Sequence, residues 1–170
     1  MASIAPLDVS APDAVDRLVA TDVARGVCRM LLRHDIVAIA EVPLDGGRRA
    51  DLMAIGPKGE LVIVEIKVSR ADLLGDCKWT DYLPHCDRFF WAVPAGFDTT
   101  PLDGAGFLPE RSGVIVADRY DAAIVREAAV VAMPATARRK CTTALARRAA
   151  RRVMGLVDPD AFGADGVGRR

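Results

Sequence analysis

Apolar residues follow two different periods along the chain. Val15, Leu18, Val19, Val23, Val27, Met30 and Leu31 recur at three- and four-residue spacing, which predicts an amphipathic helix ending near His34. Ser10-Ala11-Pro12-Asp13 reads as its start, with a Ser cap, Pro in the first turn and an acid three residues after the cap. The pattern then shortens to strand-length runs over 36–41, 48–55 and 61–68. Asp45-Gly46-Gly47 and Gly56-Pro57-Lys58-Gly59 separate them, and connections this short and Gly-rich predict antiparallel hairpins. Ser69-Arg70-Ala71-Asp72 repeats the capping pattern and opens a second helix, which runs to about Leu83 before Pro84. The unbroken apolar run RFFWAV over 88–93 predicts a strand buried on both faces. Short strands follow over 114–117 and within 122–131. Pro134 precedes a last helix over 135–154 that Gly155 can close. The expected fold is therefore α/β, a mixed sheet with antiparallel hairpins flanked by helices in the order helix, three strands, helix, strand. A single domain over 11–155 is expected between a flexible N-terminus (1–10) and a flexible tail (156–170).

Composition narrows the class. At 170 residues, 51% hydrophobic and 27% charged, the chain can bury one proper core and does not read as disordered. A formal net charge of zero argues against an overall basic surface and leaves room for a local one. Cys28, Cys77, Cys86 and Cys141 lack paired C-x-x-C spacing, and with no secretory signal they read as reduced thiols. No apolar run approaches the roughly 20 residues of a membrane span. A cytoplasmic protein without a membrane partner is expected.

The chemistry lies where a core strand turns polar. On 61–68, Val62, Val64, Ile66 and Val68 share one face; Leu61, Ile63, Glu65 and Lys67 share the other, apolar at first and charged at its end. A 56–60 loop sets Ile55 opposite Leu61 and Asp51 opposite Glu65. A 45–47 loop sets Leu44 opposite Arg48 and Glu41 opposite Asp51. Three carboxylates then stand in a row across the sheet beside Lys67. Like charges at this separation destabilise a sheet unless a cation lies between them. Hard oxygen ligands suit Mg²⁺ or Mn²⁺, with Asp51 and Glu65 ligating, the Ile66 carbonyl as a third oxygen and Glu41 as an extra ligand. Lys67 would orient the attacking water or contact a phosphate, or serve as base if burial lowers its pKa. Against this stands the plainer reading of acid-x-Lys as a solvated strand end.

Asp51 followed by Glu65-Ile66-Lys67, behind a helix and an antiparallel hairpin, resembles the PD-(D/E)xK nuclease superfamily, with Ala50 where the superfamily's name has Pro. The strings GRRADL and VEIKVSRADLLGDCKWTDYLPHCDRFFWAV, with the basic last helix, are similar to the bacterial MmcB-type DNA repair proteins over about residues 15–155. The resemblance implies a restriction-endonuclease-like core and a role in DNA repair linked to damage-induced mutagenic synthesis. It does not by itself imply cleavage.

Further residues invite nucleic acid. Arg48 and Arg49 flank the site, where a guanidinium would grip a phosphate or offset Glu41 and Asp51. Lys78 and Tyr82, at i and i+4, with Trp79 adjacent, would supply backbone contact and base stacking, unless Trp79 is core. Arg138, Arg139, Lys140, Arg147, Arg148, Arg151 and Arg152 lie on the last helix, with no acid between residues 136 and 155. His34 and His85 read as ordinary residues. The expected protein is a nucleoid-associated, Mg²⁺- or Mn²⁺-dependent DNA phosphodiesterase of the DNA damage response, working with other repair proteins. A non-catalytic DNA-binding scaffold, or a metal-dependent hydrolase of another substrate, are the alternatives.

Overall fold

The computed structural model describes residues 18–162, so the Ser10 helix start lies outside the described residues. Helix α1 (Ala20–Arg33) follows an extended Val19, whose N–H donates to Asp22 Oδ2 at 3.2 Å. Val19 is exposed, and the buried stripe begins at Val23. Then come β1 (Val37–Pro43), β2 (Arg49–Ile55), β3 (Leu61–Ile66), α2 (Arg70–Gly75), β4 (Arg88–Pro94), β5 (Ser112–Ala117), β6 (Ala122–Arg126) and α3 (Ala135–Val157).

The six strands form one sheet in sequence order. The two Gly-rich turns make β1–β2 and β2–β3 antiparallel, and the pairs β3–β4 and β4–β5 are parallel across longer connections. β6 closes the sheet antiparallel to β5. Both hairpin registers match the expectation. Ile55 faces Leu61, and Pro43 faces Arg49 on the ladder that closes with Leu44 N–H donating to Arg48 O at 2.8 Å. Gly46 and Gly47 supply positive φ values of 83° and 80° in that turn, which other residues reach only with strain.

Each face of the sheet has its own core. α1 lays Val23, Val27, Met30 and Leu31 on Leu52, Val62, Val64 and Phe90. Each such side chain contributes roughly 1.5–3 kcal/mol by leaving water. The opposite face carries Met53, Leu61, Ile63, Phe89 and Trp91 beneath Trp79, Tyr82, Cys141 and Leu145. Trp79, Phe89 and Trp91 pack ring on ring with centroids 5.1–5.3 Å apart.

Two helices differ from expectation. α2 stops at Gly75, and a separate 3₁₀ segment, Trp79–His85, contains Pro84 rather than ending before it. The tighter 3₁₀ turn points Trp79 and Tyr82 into the core, so Lys78 and Tyr82 do not stand at successive turns of one α-helix. α3 passes through Gly155 to Val157, and a 3₁₀ turn (Pro159–Phe162) follows. All four cysteines are free. Among the described residues, no helix is long and apolar enough to cross a membrane.

Candidate functional site

The β2–β3 ladder pairs Leu52 with Val64, and its next step brings Asp51 beside Glu65. Two hydrogen bonds from backbone to carboxylate close this end. Asp51 N–H donates to Glu65 Oε1 at 3.1 Å, and Ile66 N–H donates to Asp51 Oδ2 at 2.8 Å. The other oxygens, Asp51 Oδ1 and Glu65 Oε2, have no hydrogen-bond partner among the described residues. Glu65 is only 3% exposed. Burial, then the neighbouring charge of Asp51, pushes its carboxyl up to about 8. Burial also raises Asp51, against the pull of the Ile66 N–H and of Lys67. Two carboxylates side by side, Glu65 buried and Asp51 half-buried, are relieved by a proton or a cation.

Lys67 does not neutralise them directly. Its Nζ lies 2.8 Å from Asp76 Oδ2 and 3.9 Å from Asp72 Oδ1, and 5.8 Å from the centre of the Trp91 ring. Burial works to lower its pKa. The hydrogen bond with Asp76, followed by the charges of Asp76, Asp72 and Glu65, outweighs burial and raises it. The lowered pKa that a general-base role for Lys67 would need is therefore not what its surroundings produce, since a lysine held as ammonium donates and attracts but does not accept a proton. Asp76 was absent from the sequence expectations. Its signal was available: Asp72 and Asp76 stand four residues apart at the start and end of α2, a helix capped by Ser69 Oγ directly after Lys67.

Glu41 departs from the expected row of carboxylates. The register sets it opposite Asp51, but its φ is 57°, in the left-handed region. The kink breaks the in–out alternation there: Ile39 and Val42, three residues apart, both pack in the Trp91 layer. The half-exposed Glu41 carboxylate pairs with Arg49 at 2.6 Å. Among the described residues, no three His, Cys, Asp or Glu side chains are grouped to hold a metal ion, so Glu41 does not complete a cluster. The donor set is two carboxylates, with the Ile66 carbonyl on the residue between Glu65 and Lys67. That set fits Mg²⁺ or Mn²⁺, which bind through one or two carboxylates and keep several waters or substrate phosphates.

Several residues expected at nucleic acid are committed elsewhere. Trp79 is 3% exposed and donates Nε1–H to Gly106 O at 3.1 Å; Tyr82, 5% exposed, donates its hydroxyl to Arg49 O at 3.3 Å. Neither presents a ring for base stacking. Arg48 bonds Asp81 Oδ2 through Nε and Nη2, each at 3.0 Å. Arg138 clamps the buried Asp87 at 2.6 and 2.7 Å and donates to Gly59 O at 2.8 Å, a structural role. Lys140 pairs with Asp45 at 2.6 Å, and Arg152 donates to Ala40 O, pinning α3 to the edge strand. Lys78, Arg139, Arg147 and Arg151 remain exposed.

A mixed α/β sheet flanked by helices, with two acids and a lysine at the ends of adjacent strands, makes this an α/β protein compatible with a restriction-endonuclease-like core. The family model described as DNA repair protein MmcB-like matches residues 8–160, and the chain belongs to that family. It is also similar to the solved structure of the SPO1766 protein of unknown function from Silicibacter pomeroyi, at 41% identity and a TM-score of 0.77. That match covers 89% of this chain and 99% of the other. No curated protein matches.

Proposed function

We propose that this DNA repair family member is a metal-dependent DNA phosphodiesterase of PD-(D/E)xK type. The observation that carries the reading is the pairing of buried Glu65 with half-buried Asp51, cross-linked through each other's strand and not offset by a directly bonded cation of the protein. Asp51, Glu65 and the Ile66 carbonyl would hold Mg²⁺ or Mn²⁺. Such an ion would supply acidification of a water and neutralisation of charge on the phosphate. Lys67, kept charged by Asp76, stabilises the extra negative charge as the water oxygen bonds phosphorus and the phosphorus–oxygen bond to one sugar breaks. The water's proton passes to solvent and the leaving oxygen takes one up.

The test is one cleavage panel. Single-stranded, duplex, flapped and branched DNA are incubated with the purified protein and Mg²⁺ or Mn²⁺. At least one is expected to be cut, and Glu65→Ala or Lys67→Ala to abolish cutting while circular dichroism and DNA affinity hold. A second reading, a DNA-binding scaffold without catalysis, draws on Lys67 being engaged by Asp76 and on the absence of a third carboxylate among the described residues. DNA binding without cleavage of any substrate would favour it.

A further inference from the structure

α3 crosses the edge of the sheet and leaves an open groove of about 680 Å³ between itself and the end of β1. Val42 and Pro43 form one wall; Arg139, Thr143, Arg147 and Arg151 stand on the other, with Arg148 beside them. Residues 139, 143, 147 and 151 are each four apart, so they make one row along the helix with a step of about 6 Å.

Most arginines elsewhere among the described residues are answered by an acid or, as Arg29, Arg111 and Arg152 are, by backbone carbonyls. Arg33, Arg49, Arg70, Arg88, Arg126 and Arg138 each pair with a carboxylate. Arg139, Arg147, Arg148 and Arg151 have no acidic partner among the described residues, and Arg148 Nε is buried without an acceptor. In a chain of zero net charge, four unopposed cations lining one groove mark a site for a polyanion. The groove has no aromatic residue, so it can hold phosphates but cannot stack bases.

The groove also leads toward the candidate site. Val42 follows Glu41 directly, and Glu41 stands opposite Asp51. Two strand spacings, about 10 Å, separate β1 from β3 and Glu65. Glu65 and Lys67 are recessed, at 3% and 8% exposure. A duplex keeps its phosphates on a stiff outer surface, whereas a flexible strand can dip to a recessed pair.

We propose that the α3–β1 groove holds a single DNA strand by its phosphodiester backbone, without reading its sequence, and leads it to Asp51, Glu65 and Lys67. This deepens the DNA reading above and rests on it. Four contacts predict that log affinity falls with log salt at a slope of about −2.8 for single strands. The experiment is fluorescence anisotropy with the full chain, labelled single-stranded DNA and the matching duplex, in EDTA and across a salt series. Single strands are expected to bind more tightly than duplex at equal salt, irrespective of sequence. Arg147→Gln with Arg151→Gln is expected to halve the slope and to weaken binding about 25-fold near 0.1 M salt. Both side chains are exposed, so the variant should fold, as circular dichroism will check. An unchanged slope in that variant, or tighter binding to duplex, overturns the groove proposal and leaves the DNA reading standing. No binding of any DNA by the wild type would overturn both.

Discussion

Glu65 makes a prediction in which stability reports on the site without any catalysis. Its carboxyl sits at about 8 in the folded chain against an ordinary value of 4.5. Between those pH values the native state holds a proton that the unfolded chain has released, so the slope of unfolding free energy with pH is negative. The contribution is fully present below about pH 4.5 and is lost as pH rises through about 8. At about 1.4 kcal/mol per pH unit, the interval sets a ceiling of about 5 kcal/mol. Local opening at the end of a strand pair admits water and relieves part of this, so the expected fall is about 2–3 kcal/mol. Glu65→Gln keeps the shape and removes the titration; its stability should stay nearly flat over the same range and exceed that of the wild type near pH 8. A cation that replaces the proton should reverse the loss. Mg²⁺ or Mn²⁺ at tenfold its dissociation constant adds about 1.4 kcal/mol to the wild type at that pH, and nothing to Glu65→Gln. The assay is urea unfolding across pH, with and without the metal, on both proteins. Parallel wild-type and variant curves would show that Glu65 is not held protonated and would remove the argument for a cation between it and Asp51.

Two further outcomes separate site from scaffold. Asp76→Asn removes the hydrogen-bonded anion from Lys67 and leaves it buried, so its pKa should fall; NMR titration of the Lys67 side chain measures this, and an unmoved pKa would refute the clamp. Arg138→Ala should cost about 3 kcal/mol in urea unfolding, because it leaves the 2%-exposed Asp87 charged without its partner, while DNA affinity of the folded variant stays unchanged. Weakened DNA binding with intact stability would return Arg138 to the nucleic-acid surface.

The strand registers were legible because Gly-rich turns of fixed length leave few ways to pair, and a one-residue slip would have turned Ile63 and Met53 from the Trp91 core to the α1 core. The facing of Asp51 and Glu65 follows from that arithmetic. The direction of Glu41 does not, since a non-glycine residue at positive φ interrupts alternation without a sequence signal. The stacking role of Tyr82 fails for a related reason, while the core alternative for Trp79 holds. Helical spacing assigns faces only while one helix continues, and α2 stops after six residues. Arg138 shows what an uncompensated charge run conceals. Its partner, Asp87, is 51 positions away, and only the fold brings them together.

The contrast between two buried acids bears most directly on function. Asp87 accepts Leu61 N–H at 2.7 Å, Met133 N–H at 3.0 Å and two bonds from Arg138. Burial would raise its pKa, but Arg138 and the two amides overcome this and lower it. Glu65, equally hidden from solvent, has one backbone hydrogen bond, an acid for a neighbour and a lysine engaged elsewhere, and it is raised. The indole Nε1 of Trp91, which pairs with Glu65 across β3 and β4, also lacks a partner among the described residues. One fold thus satisfies one buried carboxylate completely and leaves another short of partners. A merely structural acid gains nothing from that deficit, whereas a site that must accept a cation requires it.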